Sequence, residues 1–155
     1  MIHIIYAMLT DVLIKIFKRD LNKLKVEIEA YSDENNMWLL TDEINNSAGN
    51  LCLHIIGNLN HFIGAVLGET RYIRKRDLEF SLKDVAAMDL INQIDEVELV
   101  VEMVLATLTV ENLESRYPID VFKSSMTTEF FLIHLTTHLS YHLGQINYHR
   151  QLLDT

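Results

Sequence analysis

Between residues 134 and 149 the chain places His134, His138, His142, Gln145 and His149 at intervals of three or four. At about 100° per residue an α-helix gathers all five within an arc of about 80°, so one helix face carries four imidazoles and an amide. A face of this kind turned toward a core must find partners for several ring nitrogens, because an unpaired buried polar group costs about 1 to 3 kcal/mol. A metal ion is one such partner. His138 and His142 stand one turn apart, about 6 Å along the axis, where two imidazoles can converge on one ion.

A third ligand must come from elsewhere in the chain. His54 is the leading candidate, since it sits among Leu51, Leu53, Ile55 and Ile56 on a second helical segment with an inward-looking apolar face. Three protein ligands and an open position is the arrangement of catalytic rather than structural zinc, and imidazole also suits nickel and iron. A lone histidine on an apolar face is more often a hydrogen-bonded core residue than a ligand, so His61, His134 and His149 are not read as ligands. If the two histidine-bearing helices run antiparallel, His61 and His134 form a second polar layer beneath the ion. Gln145 either orients a ligand, touches substrate or bonds a neighbouring helix, and His149 is expected at the surface or at a dimer edge.

The rest of the sequence is helical in pattern. Five glycines and one proline in 155 residues leave few turn signals, and apolar residues recur at intervals of three and four, so an all-α fold in a single domain, residues 1–155, is expected. The first helix spans Ile2 to about Tyr31, with Ile5, Met8, Leu9, Val12, Leu13, Ile16 and Phe17 as its stripe. The second runs from Asn46 or Ser47 to about Leu67; Gly57 and Gly64 within it imply close approach of another helix. A capping box, Ser81-Leu-Lys-Asp84, predicts a third helix over about 82–108 with Val85, Met88, Ile91, Ile94 and Val97 facing inward. The fourth begins at Thr127 or Thr128 and ends near Leu153. Residues 69–80 and 109–126 read as long irregular connections.

A net charge of −9 argues against nucleic acid as a partner, since phosphate binding requires clustered Lys and Arg. Arg71, Arg74, Lys75 and Arg76 form the single basic cluster and read as a solvated turn. The acids Asp84, Asp89, Asp95, Glu96, Glu98 and Glu102 read as the solvated face of the third helix. One cysteine, Cys52, excludes an intramolecular disulfide, reads as a small buried hydrophobe and fits a reducing compartment, so a cytoplasmic location is expected. The segment 50–68 is long enough for a membrane span but contains two His and three Asn, so no membrane partner is expected.

The segments His138-Leu-Ser-Tyr-His142-Leu-Gly-Gln145 and Leu53-His54-Ile-Ile-Gly-Asn58-Leu-Asn-His61 resemble those of the DinB superfamily of four-helix bundles. Arg74-Lys-Arg76-Asp77-Leu-Glu79-Phe80 is similar to a subgroup of DinB-like proteins of no assigned activity. The resemblance implies an up-down-down-up four-helix bundle with a crossover between helices two and three and a long connection between helices three and four. It implies His54, His138 and His142 as ligands of a divalent metal, zinc or nickel ahead of iron or manganese. It further implies a metal-dependent thiol S-transferase or hydrolase acting on a small-molecule thiol and an electrophilic substrate, and a homodimer. The competing expectation is a non-catalytic metal- or ligand-binding helical dimer. Large apolar residues near the loops, Trp38, Phe130 and Phe131, lend the dimer modest support.

Overall fold

The computed structural model describes residues 2–155, with side chains from Leu9 onward. The predicted stripe residues Ile5 and Met8 lie outside the described side chains. Helix α1 spans Ile2–Glu29 and buries Leu13, Phe17, Leu21, Leu24 and Ile28, a spacing of three or four that keeps one face inward. Val12 and Val26 lie outside that stripe and are exposed. After a 3₁₀ turn at Glu34–Trp38 the chain enters helix α2, Ala48–Leu59, through a Ser47 cap whose hydroxyl accepts from the Asn50 N–H. Every residue of α2 is buried, which makes it the central helix. It continues into a π-helical segment, Asn60–Ala65. There the Tyr117 hydroxyl donates to the Phe62 carbonyl at 2.7 Å.

Two expected irregular connections each contain a short helix. Helix α3, Arg76–Ser81, occupies the first, so Ser81 ends a helix instead of opening one. The predicted capping box does not form: Asp84 adopts a left-handed φ of 58°, and helix α4 starts later, at Ala87–Thr107, with no side-chain cap. Leu90, Ile94, Val97, Val101, Val104 and Leu105 form its buried stripe, while Met88 faces solvent. Helix α5, Val110–Glu114, opens on a capping box between Thr109 and Asn112. Helix α6, Thr128–Leu153, is capped by Thr127 and carries Glu129 in its first turn, as the sequence predicts.

The fold is therefore all-helical, with four long helices and, among the described residues, only isolated β-bridges. Lys18 meets Glu102 at 2.7 Å and Lys25 meets Asp95 at 2.6 Å, so partners advance along α1 as they retreat along α4. Glu98 is half-buried beside Lys25, so the acids of α4 are in part the partners of α1, not a purely solvated face. His54 on α2 meets His138, and Phe62 in the π-helical continuation meets Phe131, again in opposite order on α6. Beyond α2, Gly64 in the π-helical segment and Gly68 in the turn after it approach Val100 and Val104, in the same order as these lie along α4. Among the described residues no helix is long and apolar enough to cross a membrane.

Trp38 and Phe131, read as apolar residues near the loops in support of a dimer, and His149, expected at the surface or a dimer edge, belong to the interior. Trp38 covers Gly49, Phe131 packs on Tyr117, and both are buried. His149 is 3 % exposed, where a surface position was expected. The Tyr31 hydroxyl donates to its Nδ1 at 2.8 Å and its Nε2 donates to the Leu39 carbonyl at 3.0 Å, joining the end of α1, the following loop and α6. Burial pushes the His149 imidazole below its usual range, against a smaller opposing effect of the Leu39 bond. The stability tied to this neutral ring is complete above the unfolded value of about 6.5 and is lost as pH falls through the lower folded value. Tyr31→Phe, which strands a buried nitrogen, should lower urea-unfolding stability by about 1 to 2 kcal/mol at pH 7.5. His149→Gln should flatten the decline that wild type shows between pH 7 and 5; an unchanged slope would count against this account.

Candidate metal centre

Helix α2 brings His54 to the inner face of α6, opposite the His138–His142 turn. The Nε2 atoms of His54 and His138 lie 3.4 Å apart, and those of His138 and His142 3.1 Å apart. The three residues offer ligand nitrogens all within 4.8 Å of one another. Ligand atoms about 2.05 Å from a tetrahedral ion are about 3.3 Å apart, so these spacings match the edges of a zinc coordination shell. The donor set is three imidazoles, chemistry that zinc, nickel and iron all accept.

Two of the three tautomers are set by neighbours. The His54 Nδ1–H donates to the Glu79 carboxylate at 2.9 Å, and the His142 Nδ1–H donates to the Gln145 side-chain carbonyl at 2.7 Å. Each bond leaves the ring's Nε2 as a lone pair aimed at the shared centre. Burial, with the neighbouring His142, His54, His134 and Arg74, pushes His138 down to about 4, so at neutral pH it carries no proton charge. Burial also lowers His142, with His54 adding to the effect and the Gln145 bond opposing it. His138 and His142 are thus held toward the neutral ring, the form that binds metal.

The placement of Glu79 begins at the start of α2. Buried Asn50, oriented by Ser47, donates to the backbone carbonyls of Glu79 at 3.0 Å and Leu82 at 2.8 Å, which fastens the end of α3 against α2. Gly57, one turn beyond His54, supplies the gap that the Glu79 side chain fills; a Cβ there would run into its carboxylate. Arg74 grips the same carboxylate with Nε at 2.7 Å and Nη2 at 2.9 Å. Burial alone would raise the Glu79 carboxyl, but the Arg74 and His54 bonds outweigh it and hold the group below the usual range. Arg74 is therefore no part of a solvated turn: it is half-buried, and its guanidinium lies 5.5 Å from the Phe62 ring centre. The sequence reading missed Glu79 and Arg74 as site residues. The signal was Gly57, a costly residue inside a fully buried helix one turn from a histidine.

The remaining candidates divide. Gln145 touches His142 directly. His134 stacks on Phe131 at 5.8 Å between ring centres, meets the Phe122 edge at 4.9 Å, and lies 6.1 Å from His138. His61 rests against Phe62 at 4.8 Å, and burial and Arg74 lower its imidazole. Aromatic carbon therefore meets both rings of the expected His61–His134 layer. Cys52 is fully buried, and burial pushes its thiol up, away from nucleophilic character.

An all-helical protein with a buried carboxylate behind a three-histidine cluster is the class that fold and site define. A family described as "Protein of unknown function (DUF1572)" matches residues 7–155, and the chain belongs to that family. No curated protein and no solved structure matches it.

Gly57→Ala tests the construction of the site. Helix propensity alone would favour alanine by about 1 kcal/mol. Because the new Cβ must displace a carboxylate tied by His54 and Arg74, a net loss of about 1 to 3 kcal/mol is expected in chemical unfolding. A stabilised variant would show that α3 yields freely and that Glu79 is not held as described.

Proposed function

We propose that this chain is a divalent-metal protein of the DinB type, with His54, His138 and His142 as ligands and at least one coordination position left for a small molecule. The observation that carries the reading is that the His138 Nε2 lies 3.4 Å and 3.1 Å from those of His54 and His142, with ligand atoms of all three within 4.8 Å and the His54 and His142 tautomers set by Glu79 and Gln145. The order of contacts between helices supports an up-down-down-up arrangement of α1, α2, α4 and α6. In that arrangement residues 66–86 are the crossover, with α3 inside it, and residues 108–127 are the long connection.

Zinc or nickel is the expected ion, ahead of iron or manganese. When bound it supplies the Lewis acidity that keeps a low-molecular-weight thiol or water deprotonated near neutral pH. The chain's own residues do the rest. Glu79 fixes the His54 ring, Gln145 fixes His142, and the surrounding apolar residues restrict water. The reaction class is thiol S-transfer to an electrophile, or hydrolysis when water takes the thiol's place. A homodimer in the cytoplasm belongs to the same reading; exposed Phe130 and Val26 supply apolar surface for it.

Zinc and nickel titrations in competition with a chromophoric chelator test the ligand set. His138→Ala should abolish stoichiometric binding, and Glu79→Gln should weaken it by about 10- to 100-fold. Equal affinity in wild type and His138→Ala ends the metal reading. Consumption of a small thiol with a generic electrophile then tests turnover. Wild type should exceed His138→Ala, whereas equal rates in proteins that differ in metal content point to the non-catalytic alternative.

A further inference from the structure

A cavity of about 280 Å³ adjoins the histidine cluster. His54 and His138 line it, Phe62 and Phe122 give it aromatic surface, and Arg74 and Arg76 are its charged residues. A chain of net charge −9 has thus placed two cations, and among the described residues no carboxylate, on the lining of the space next to the three histidines. The two arginines differ. Arg74 is matched by the two-bond grip on Glu79. Arg76 is exposed, its guanidinium lies 5.8 Å from the Phe80 ring centre, and among the described residues no carboxylate pairs with it. The lining therefore presents one unmatched positive charge beside aromatic surface.

Size and charge together narrow the ligand. Pockets for drug-sized molecules run from about 300 to 1,000 Å³, so this space suits one ring and a short chain. One unmatched guanidinium complements a monoanion such as a carboxylate, which it can grip with two parallel hydrogen bonds; a phosphate monoester would bring a second charge without a partner. We propose that the cavity binds a small carboxylate carried on an apolar, ring-sized body, with the carboxylate at Arg76 and the body against Phe62 and Phe122. The other end of the ligand then reaches His54 and His138. That last role rests on the proposed metal site; binding in the cavity does not.

The test uses the full-length protein, both as purified and after metal is stripped with a chelator, so that direct ligation of an ion cannot stand in for the cavity. Three probes, 3-phenylpropionate, its neutral amide 3-phenylpropanamide and propionate, are titrated into ¹⁵N-labelled protein, and affinities are read from amide shifts. The acid with the ring should bind at least tenfold tighter than either of the others in both preparations, a factor expected of one charge-assisted contact. Shifts should concentrate near Arg76, Phe122 and His134. Arg76→Gln should abolish the preference over the amide, and Phe122→Ala should reduce the preference over propionate. Arg76 and Phe122 are exposed, so both variants should keep the wild-type circular dichroism. No binding of the acid, equal affinity for acid and amide, or a preference that survives Arg76→Gln would each overturn the inference. Failure of zinc to bind, with the acid preference intact, would remove the metal reading alone.

Discussion

The site depends on one buried carboxylate. Glu79 is 5 % exposed and is reached by N–H groups from His54 and from two nitrogens of Arg74. A carboxylate removed from water costs several kcal/mol unless hydrogen bonds and an opposite charge replace its hydration. Those partners come from α2 and from the chain just before α3, so the ion pair and the helix position require each other. Asn50 sets the distance by holding the backbone at the end of α3, and Gly57 removes the one side chain that would stand in the way. What results is a histidine whose outer nitrogen is committed and whose inner nitrogen is bare.

Much of this was legible in the sequence, and the parts that were not share a cause. Long helices declare themselves through repeated apolar spacing and through local caps, which is why Ser47 and Thr127 open α2 and α6 where their side chains predict. Ser81-Leu-Lys-Asp84 has the composition of a cap as well, but Leu82 presents its carbonyl to Asn50 of a distant helix, and that tertiary contact decides the local conformation. The short helices α3 and α5 are too brief to display a period. Arg74 looked solvated because the carboxylate it serves is five residues away on the next helix, and nothing in its immediate neighbours says that the pair is folded inward.

The histidine stripe is the clearest case of a pattern that is right about geometry and silent about partners. Four imidazoles do lie along α6, yet their neighbours differ along its length. His134 meets phenylalanine rings, His138 and His142 meet His54, and His149 is closed between Tyr31 and the Leu39 carbonyl. The partner of His142 was near in sequence, three residues on at Gln145, and the bond between them is local. The partners of His149 lie more than a hundred residues away, and no helical spacing could disclose them. Burial favours the neutral ring at His138, His142 and His149 alike, so the difference in role comes from what each nitrogen faces.

Neutrality also bears on what such a cluster would hold. Glu102 and Asp95 of α4 are turned toward Lys18 and Lys25 of α1, and the one carboxylate behind the histidines is matched by Arg74. A divalent ion held by three imidazoles would keep its full double charge, where each carboxylate ligand would have cancelled part of it. That charge favours an anionic occupant of the remaining position and lowers the proton affinity of whatever binds there. Arg76 at the neighbouring cavity acts in the same direction on the rest of that molecule. On the proposed metal reading, a chain that is acidic as a whole would hold one locality that favours anions, with imidazoles as ligands and the one carboxylate behind them paired with Arg74.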